Sequence, residues 1–294
     1  MSLGSKRKLK TKTDMKKITF LFSAILFAQL AISQAPIQVE KSGEGNPILF
    51  LPGFTTPGSV WNETIENLNG TFETHTVSYA GFNGLVPIGT PWYAPIKDRL
   101  IEYVKEEKLT NLTVIGHSMG GNLATDLAAA LGDHVTGLIL VDALPCMREL
   151  MMPGVPASSL QYDSPYNNQM LDMPNDAFKN TALMMARNMT NQEDKVEMMA
   201  GWSIAADRKT YVYGYTDLLK LDLRPTLENI QIKTLILGAT FPTREMCQQT
   251  FEKQYTNLTN KTISLADDSK HFIMFDQPEW LYSQINSYLT SNAQ

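Results

Sequence analysis

"VIGHSMGG", residues 114–121, is the stretch on which the reading of this chain turns. Ahead of it, Leu112-Thr113-Val114-Ile115 is a short apolar run of the kind that forms a buried strand. Behind it, residues 122–131 ("NLATDLAAAL") are rich in strong helix formers. A strand that passes abruptly into a helix puts Ser118 at the apex of the turn. Side chains near such an apex collide with it, so residues without a Cβ belong close by. Gly116 and Gly120 stand two positions either side of Ser118, giving the G-x-S-x-G spacing of a nucleophile elbow. A Gly-rich turn that merely packs tightly is the plain alternative, and the rest of the chain decides between them.

At 294 residues, 43% of them hydrophobic, the chain can bury a sizeable core, and one domain with an insertion fits better than two independent domains. Residues 1–17 hold Lys6, Arg7, Lys8, Lys10, Lys12, Lys16 and Lys17 against Asp14 alone, so the body beyond them is acidic. Without a basic stripe, no nucleic-acid partner is expected. From Met15, two lysines precede an apolar run, Ile18 to Leu30, followed by Ala31-Ile32-Ser33-Gln34. That order is a cleavable secretory signal over residues 15–33, with residues 1–14 an upstream extension. The run is short for a membrane span, so no stable span is expected after cleavage, and the protein is expected to be exported, periplasmic or secreted. Cys146 and Cys247 are too few for a disulfide framework, but an exported chain can join them in one bridge if their Cα atoms approach within about 7 Å.

Apolar strand candidates at 47–51, 73–79, 112–115, 135–141, 233–237 and 262–265 alternate with helical stretches at 59–68, 94–108, 119–131, 243–255 and 279–289. The alternation predicts an α/β fold, a mostly parallel central sheet with helices on both faces. Ligands in such sheets sit beyond the carboxyl ends of the strands, where Ser118 falls. About ninety residues separate the strand ending at Val141 from the next, far more than a crossover needs. Helical patterns at 176–189, 192–205 and 208–220 make residues 146–222 an inserted helical cap, leaving 34–145 and 223–294 as the core.

At this point the chain resembles the α/β-hydrolase superfamily from roughly Gln38 to Thr290. The resemblance rests on "FLPGF" (50–54), "VIGHSMGG" (114–121), "LILVDA" (138–143), "LRPTLENIQIKTLILG" (223–238) and "KHFIMFDQPEWL" (270–281), in the family's order. It implies Ser118 as nucleophile. A serine hydroxyl needs an adjacent base, and the chain has four histidines. His117 adjoins the serine and points away from it, His75 lies in an alternating strand, and His134 falls on the amino edge of the sheet. His271 remains, in the loop before the last helix where the family carries its histidine.

The family's acid usually follows the strand leading out of the cap, but Ala239-Thr240-Phe241-Pro242 offers none. Some relatives supply it after the preceding strand, where "LILVDA" carries Asp142. Asp142 is the expected acid, with Glu245 the alternative. The resemblance also implies an oxyanion hole from the N–H groups of Met119 and Phe54, the latter in the loop Pro52-Gly53-Phe54. The cap holds ten of the fifteen methionines, which suits a plastic apolar cleft. Met147, Met151 and Met152, with Phe54, are the candidates for lining it, although ordinary helix packing accounts equally well for most of the methionines.

No metal constellation, P-loop or dinucleotide fingerprint is present, so no cofactor and no metal are expected. The expected function is an exported serine hydrolase cleaving carboxylic esters of small or apolar molecules. Lactonase, amidase and cofactor-free haloperoxidase or lyase activities remain open on the same fold. A non-catalytic binding protein on a hydrolase scaffold is the alternative from another class.

Overall fold

Leu49 and Leu51 are buried on one face of a sheet while Ile48 and Phe50 are buried on the other. Val114, Leu138, Leu140 and Ile236 continue the first face, and Ile115, Ile139, Val141 and Leu237 the second. Strands covered on both sides need apolar residues at every position, so their sequences read as continuous apolar runs. The computed structural model describes residues 35–292. The extension expected at 1–14 and the secretory signal expected at 15–33 lie outside them. Among the described residues no helix is long and apolar enough to cross a membrane.

Seven strands form the sheet: β1 (Ile37–Ser42), β2 (Asn46–Leu51), β3 (Phe72–Tyr79), β4 (Leu112–His117), β5 (Val135–Val141), β6 (Thr234–Ala239) and β7 (Lys261–Ala266). Their order is β1-β3-β2-β4-β5-β6-β7, and only the β1–β3 pairing is antiparallel. This is the expected α/β architecture. β1 is the strand the sequence did not announce. Of its six residues only Ile37 is buried. Complete burial of an aliphatic side chain is worth about 1.5–3 kcal/mol. β1 therefore depends on its backbone bonds to β3, which leave no apolar signature.

The core helices are α1 (Asn62–Glu66), α2 (Tyr93–Glu106), α3 (Met119–Leu131), α9 (Arg244–Gln254), α10 (Ile273–Asp276) and α11 (Pro278–Asn292). Between β5 and β6 run five more: α4 (Met147–Met151), α5 (Pro165–Asp172), α6 (Asn175–Met189), α7 (Glu193–Ala205) and α8 (Arg208–Lys220). The last three coincide with the helical patterns read from the sequence. α5 escaped that reading because it buries only Asn167 and Met170. Its start was nevertheless legible, since Ser164 Oγ accepts from Asn167 N–H at 3.2 Å and Pro165 opens the first turn.

The insertion is tied to the carboxyl side of the sheet at identifiable points. Asp217 on α8 is buried and accepts from the N–H groups of Trp92 (2.6 Å) and Tyr93 (3.2 Å) at the start of α2. Those donors have no partner within their own helix, so the carboxylate satisfies them and opposes the positive end of the helix dipole. Asp207 N–H donates to Gly81 O at 2.8 Å, and Phe272 N–H to Met189 O at 2.9 Å. Core and insertion form one compact unit.

Candidate active site

The turn between β4 and α3 holds Ser118 at φ 54°, ψ −123°, a conformation that L-residues rarely adopt. Such a conformation costs about 1–3 kcal/mol and persists only where surroundings over-determine it. Ser118 N–H donates to Val141 O at 2.9 Å, and Gly121 N–H to Ser118 O at 2.8 Å. The glycines supply the rest by what they lack. A Cβ on Gly120 would run into the carbonyl oxygens of Leu51 and Pro52, and one on Gly116 into the backbone of Gly120. The strand-to-helix turn predicted around Ser118 is thus sterically forced.

Asp142 follows β5 with φ 43°. Its N–H donates to Leu237 O at 2.7 Å and its Oδ1 accepts from Ala239 N–H at 2.8 Å. Those bonds leave Oδ2 directed at His271, whose Nδ1 lies 2.6 Å away. A carboxylate only accepts, so Nδ1 carries the proton and Nε2 is left with its lone pair. Both side chains are mostly covered, at 28% exposure for His271 and 17% for Asp142. Glu245 is exposed in the first turn of α9. Of the two acids considered, Asp142 is the one brought to His271.

The loop carrying His271 is fixed at three consecutive residues. Lys270 N–H donates to Asp276 Oδ2 at 2.8 Å, His271 O faces His117 Nε2 at 3.0 Å, and Phe272 N–H bonds Met189 O. Asp276, buried, also accepts from Thr190 Oγ1 (2.6 Å) and Asn191 N–H (2.8 Å) at the α6–α7 junction. The sequence reading missed Asp276, since an acid five residues after His271 carries no recognisable spacing. The other histidines lie elsewhere: His75 is buried with Nδ1 2.7 Å from Tyr103 Oη, and His134 Nδ1 is 2.9 Å from Leu109 O.

The loop proposed for the oxyanion hole lies against the elbow. A Cβ on Gly53 would stand 3.3 Å from Ser118 Cβ and 3.0 Å from His117 Nδ1, a tight fit that glycine relieves as the backbone approaches the elbow. Among the described residues Phe54 N–H has no acceptor, while Thr56 N–H closes the turn onto Gly53 O at 3.1 Å. Met119 opens α3, and the first N–H of a helix has no intrahelical partner.

The Phe54 ring packs edge-on to Phe82 (centroids 4.9 Å apart) and beside Tyr211 and Tyr215 of α8. It joins the core to the insertion, a contact between distant segments that no local pattern announces. Of the methionines singled out, Met147 packs half-buried against the core, Met152 is half-buried at the end of α4, and Met151 is 58% exposed. A cavity of about 150 Å³ is instead bordered by Met198, Trp202, Met274, Phe275, Val60 and Thr64, among others, on the opposite sheet face from Phe54.

The bridge considered between Cys146 and Cys247 is not formed, and both thiols are free. Cys146 is buried, its backbone N–H and C=O held by the Gln254 amide at 3.1 and 3.0 Å. Cys247 is half-buried and its Sγ donates to Phe241 O at 3.2 Å. Burial, reinforced by the Asp142 charge, raises its pKa. No group of side chains suited to a metal ion occurs among the described residues.

A model of the alpha/beta hydrolase family matches residues 48–284. Among curated proteins, the chain is 23% identical over 192 residues to a pimeloyl-(acyl-carrier protein) methyl ester esterase from Aliivibrio salmonicida, covering 65% of this chain and 72% of that one. It is 28% identical over 107 residues to the enzyme of the same description from Aliivibrio fischeri. That match spans 36% of this chain and only 40% of the relative's length. Among solved structures, an esterase from Exiguobacterium antarcticum superposes with a TM-score of 0.73 at 20% identity, over 86% of this chain and 95% of that one. At that identity the likeness concerns the fold alone.

Proposed function

The chain belongs to the alpha/beta hydrolase family, and from that premise we propose that it is an exported serine esterase acting on carboxylic esters of small or apolar molecules. The observation that carries the reading is the 2.6 Å contact between Asp142 Oδ2 and His271 Nδ1, taken with an elbow serine at positive φ. Ser118 Oγ attacks the ester carbonyl carbon while His271 Nε2 takes its proton. Asp142 stabilises the imidazolium and keeps the ring's tautomer, and the N–H groups of Phe54 and Met119 receive the negative charge on the carbonyl oxygen. The tetrahedral intermediate then expels the alcohol, which leaves with the proton held by His271. Water, deprotonated by the same nitrogen, releases the acid and restores Ser118.

The descriptions of the Aliivibrio relatives support an ester of a small alcohol as substrate. The signal-like residues 15–33 support export, which separates this chain from an intracellular carrier-protein substrate. A fluorophosphonate probe tests the nucleophile. Labelling of the wild-type protein and none of Ser118→Ala is expected, and equal labelling of both sinks the mechanism. A panel of chromogenic esters graded by acyl length reads the substrate class. Hydrolysis of lactones or amides with no ester cleaved would replace it.

A further inference from the structure

His117 is the fourth histidine and the mechanism leaves it without a task. It ends β4 on the same face as Ile115, two residues earlier, and its side chain is wholly buried. Its ring lies 4.6 Å from that of His271 and 4.8 Å from that of Phe272, centroid to centroid. Nε2 is 3.0 Å from the carbonyl oxygen of His271. A carbonyl only accepts, so Nε2 carries the proton and Nδ1 bears a lone pair. Nδ1 is buried without a hydrogen-bond partner and lies against the backbone of Gly53. One ring therefore touches the loop proposed for the oxyanion hole, the loop of the proposed base, and, through the chain, the serine itself.

We propose that His117 is a positioning residue: its Nε2–H grips the backbone of His271 and sets the imidazole in line with Ser118. Burial supports this by holding His117 neutral, the only state with one donor and one acceptor nitrogen, and the imidazolium formed when His271 takes a proton opposes a second cation beside it. Asp142 steers the His271 ring from one side while His117 fixes the peptide from which that ring springs. Without the second constraint the ring swings about its own backbone, and a displacement of about 1 Å at a reacting centre costs about 10²-fold. The effect on turnover rests on the esterase reading, but the placement of His271 does not.

The test uses three variants of the full chain. Gln carries its side-chain nitrogen where Nε2 stands and Asn where Nδ1 stands, whereas Phe carries none. His117→Gln is expected to keep kcat on a chromogenic ester within about threefold. His117→Asn and His117→Phe should lose about 10²-fold in kcat with KM little changed. The low-field proton resonance of His271 Nδ1–H, bonded to Asp142, should persist in wild type and His117→Gln and shift or exchange away in the other two. A Gln variant no better than the Asn variant, whether both are active or both impaired, overturns the proposal. So does wild-type behaviour in His117→Phe. Should the Phe variant fail to fold, the Gln–Asn pair decides. Should the wild type cleave no ester, the esterase reading fails and the resonance alone decides the positioning.

Discussion

The elbow after β4 and the loop after β7 carry the two halves of the proposed proton transfer, yet they are held in different ways. Around Ser118 the backbone is forced by absent side chains, because a Cβ at Gly116 or Gly120 would overlap the neighbouring backbone. Around His271 the loop is held by side chains: His117 of β4 bonds its backbone oxygen, Asp142 after β5 its ring, and Asp276 of α10 the neighbouring Lys270 N–H. A turn made by steric exclusion tolerates no side chain where backbone crowds it, here also the backbone of Leu51 and Pro52 at the end of β2. One made by long-range hydrogen bonds is only as well placed as the elements that deliver them. The serine is thus built into its turn, and the histidine is adjusted to it from several directions.

The contrast can be broken most sharply at Asp142. Asp142→Asn keeps a side chain of the same size but removes the charge that opposes the imidazolium. Ester turnover should fall by about 10⁴-fold, a loss of the size seen in a serine protease, with the thermal midpoint little changed. Glu245→Gln, exposed on α9, should leave turnover within about twofold. The reverse ranking would give the acid to α9 and undo the account of the base loop.

At the elbow the expected damage is to stability. Gly120→Ala drives a methyl group into the carbonyl oxygens of Leu51 and Pro52. Overpacking against backbone that cannot yield should cost about 3 kcal/mol, read as a lower urea midpoint at unchanged slope. A stable, active Gly120→Ala protein would show that the turn tolerates a side chain.

A smaller loss is expected at the anchor of the base loop. Asp276→Asn weakens charge-assisted bonds from Thr190 Oγ1, Asn191 N–H and Lys270 N–H. Such bonds contribute about 1.5–3 kcal/mol each, but the amide retains an acceptor, so a loss of about 2 kcal/mol is expected. Urea unfolding measures the loss, and kcat should fall with it. Lost stability with an untouched kcat would mean that Asp276 supports the α6–α7 junction alone.

The mildest effect concerns acid. Burial depresses the pKa of His117 below its ordinary 6.5, so the folded state binds this proton less readily than the unfolded chain. The associated stability is complete above pH 6.5 and is lost as pH falls toward the depressed folded value, at up to about 1.4 kcal/mol per pH unit for this group. His117→Gln should flatten that part of the urea midpoint's dependence on pH. An unchanged slope would mean that His117 does not carry it.

What the sequence makes legible is whatever a short segment enforces by itself. "VIGHSMGG" signals a strand, a strained apex and a helix within eight residues, because its apolar period and the close approach of Gly116 to Gly120 act inside the segment, while Gly120 also answers to Leu51 and Pro52. The runs at 47–51, 135–141 and 233–237 disclose the doubly covered sheet for the same reason, and the polar strand at 37–42 stays hidden because its partner is β3 rather than water or core. The cysteines show the limit: a plausible pair in sequence, they face different surroundings once α9 and the end of β5 are in place. Even the choice between Asp142 and Glu245 lay beyond the chain's local pattern. It depends on where Oδ2 points after Ala239 N–H has taken Oδ1 and how far the β7 loop reaches back across the sheet, both of them consequences of strand order. Local sterics wrote the turn that carries the serine, and only packing between segments more than a hundred residues apart brought the histidine and its carboxylate together, because hydrogen bonds of that range exist only after the sheet has been assembled.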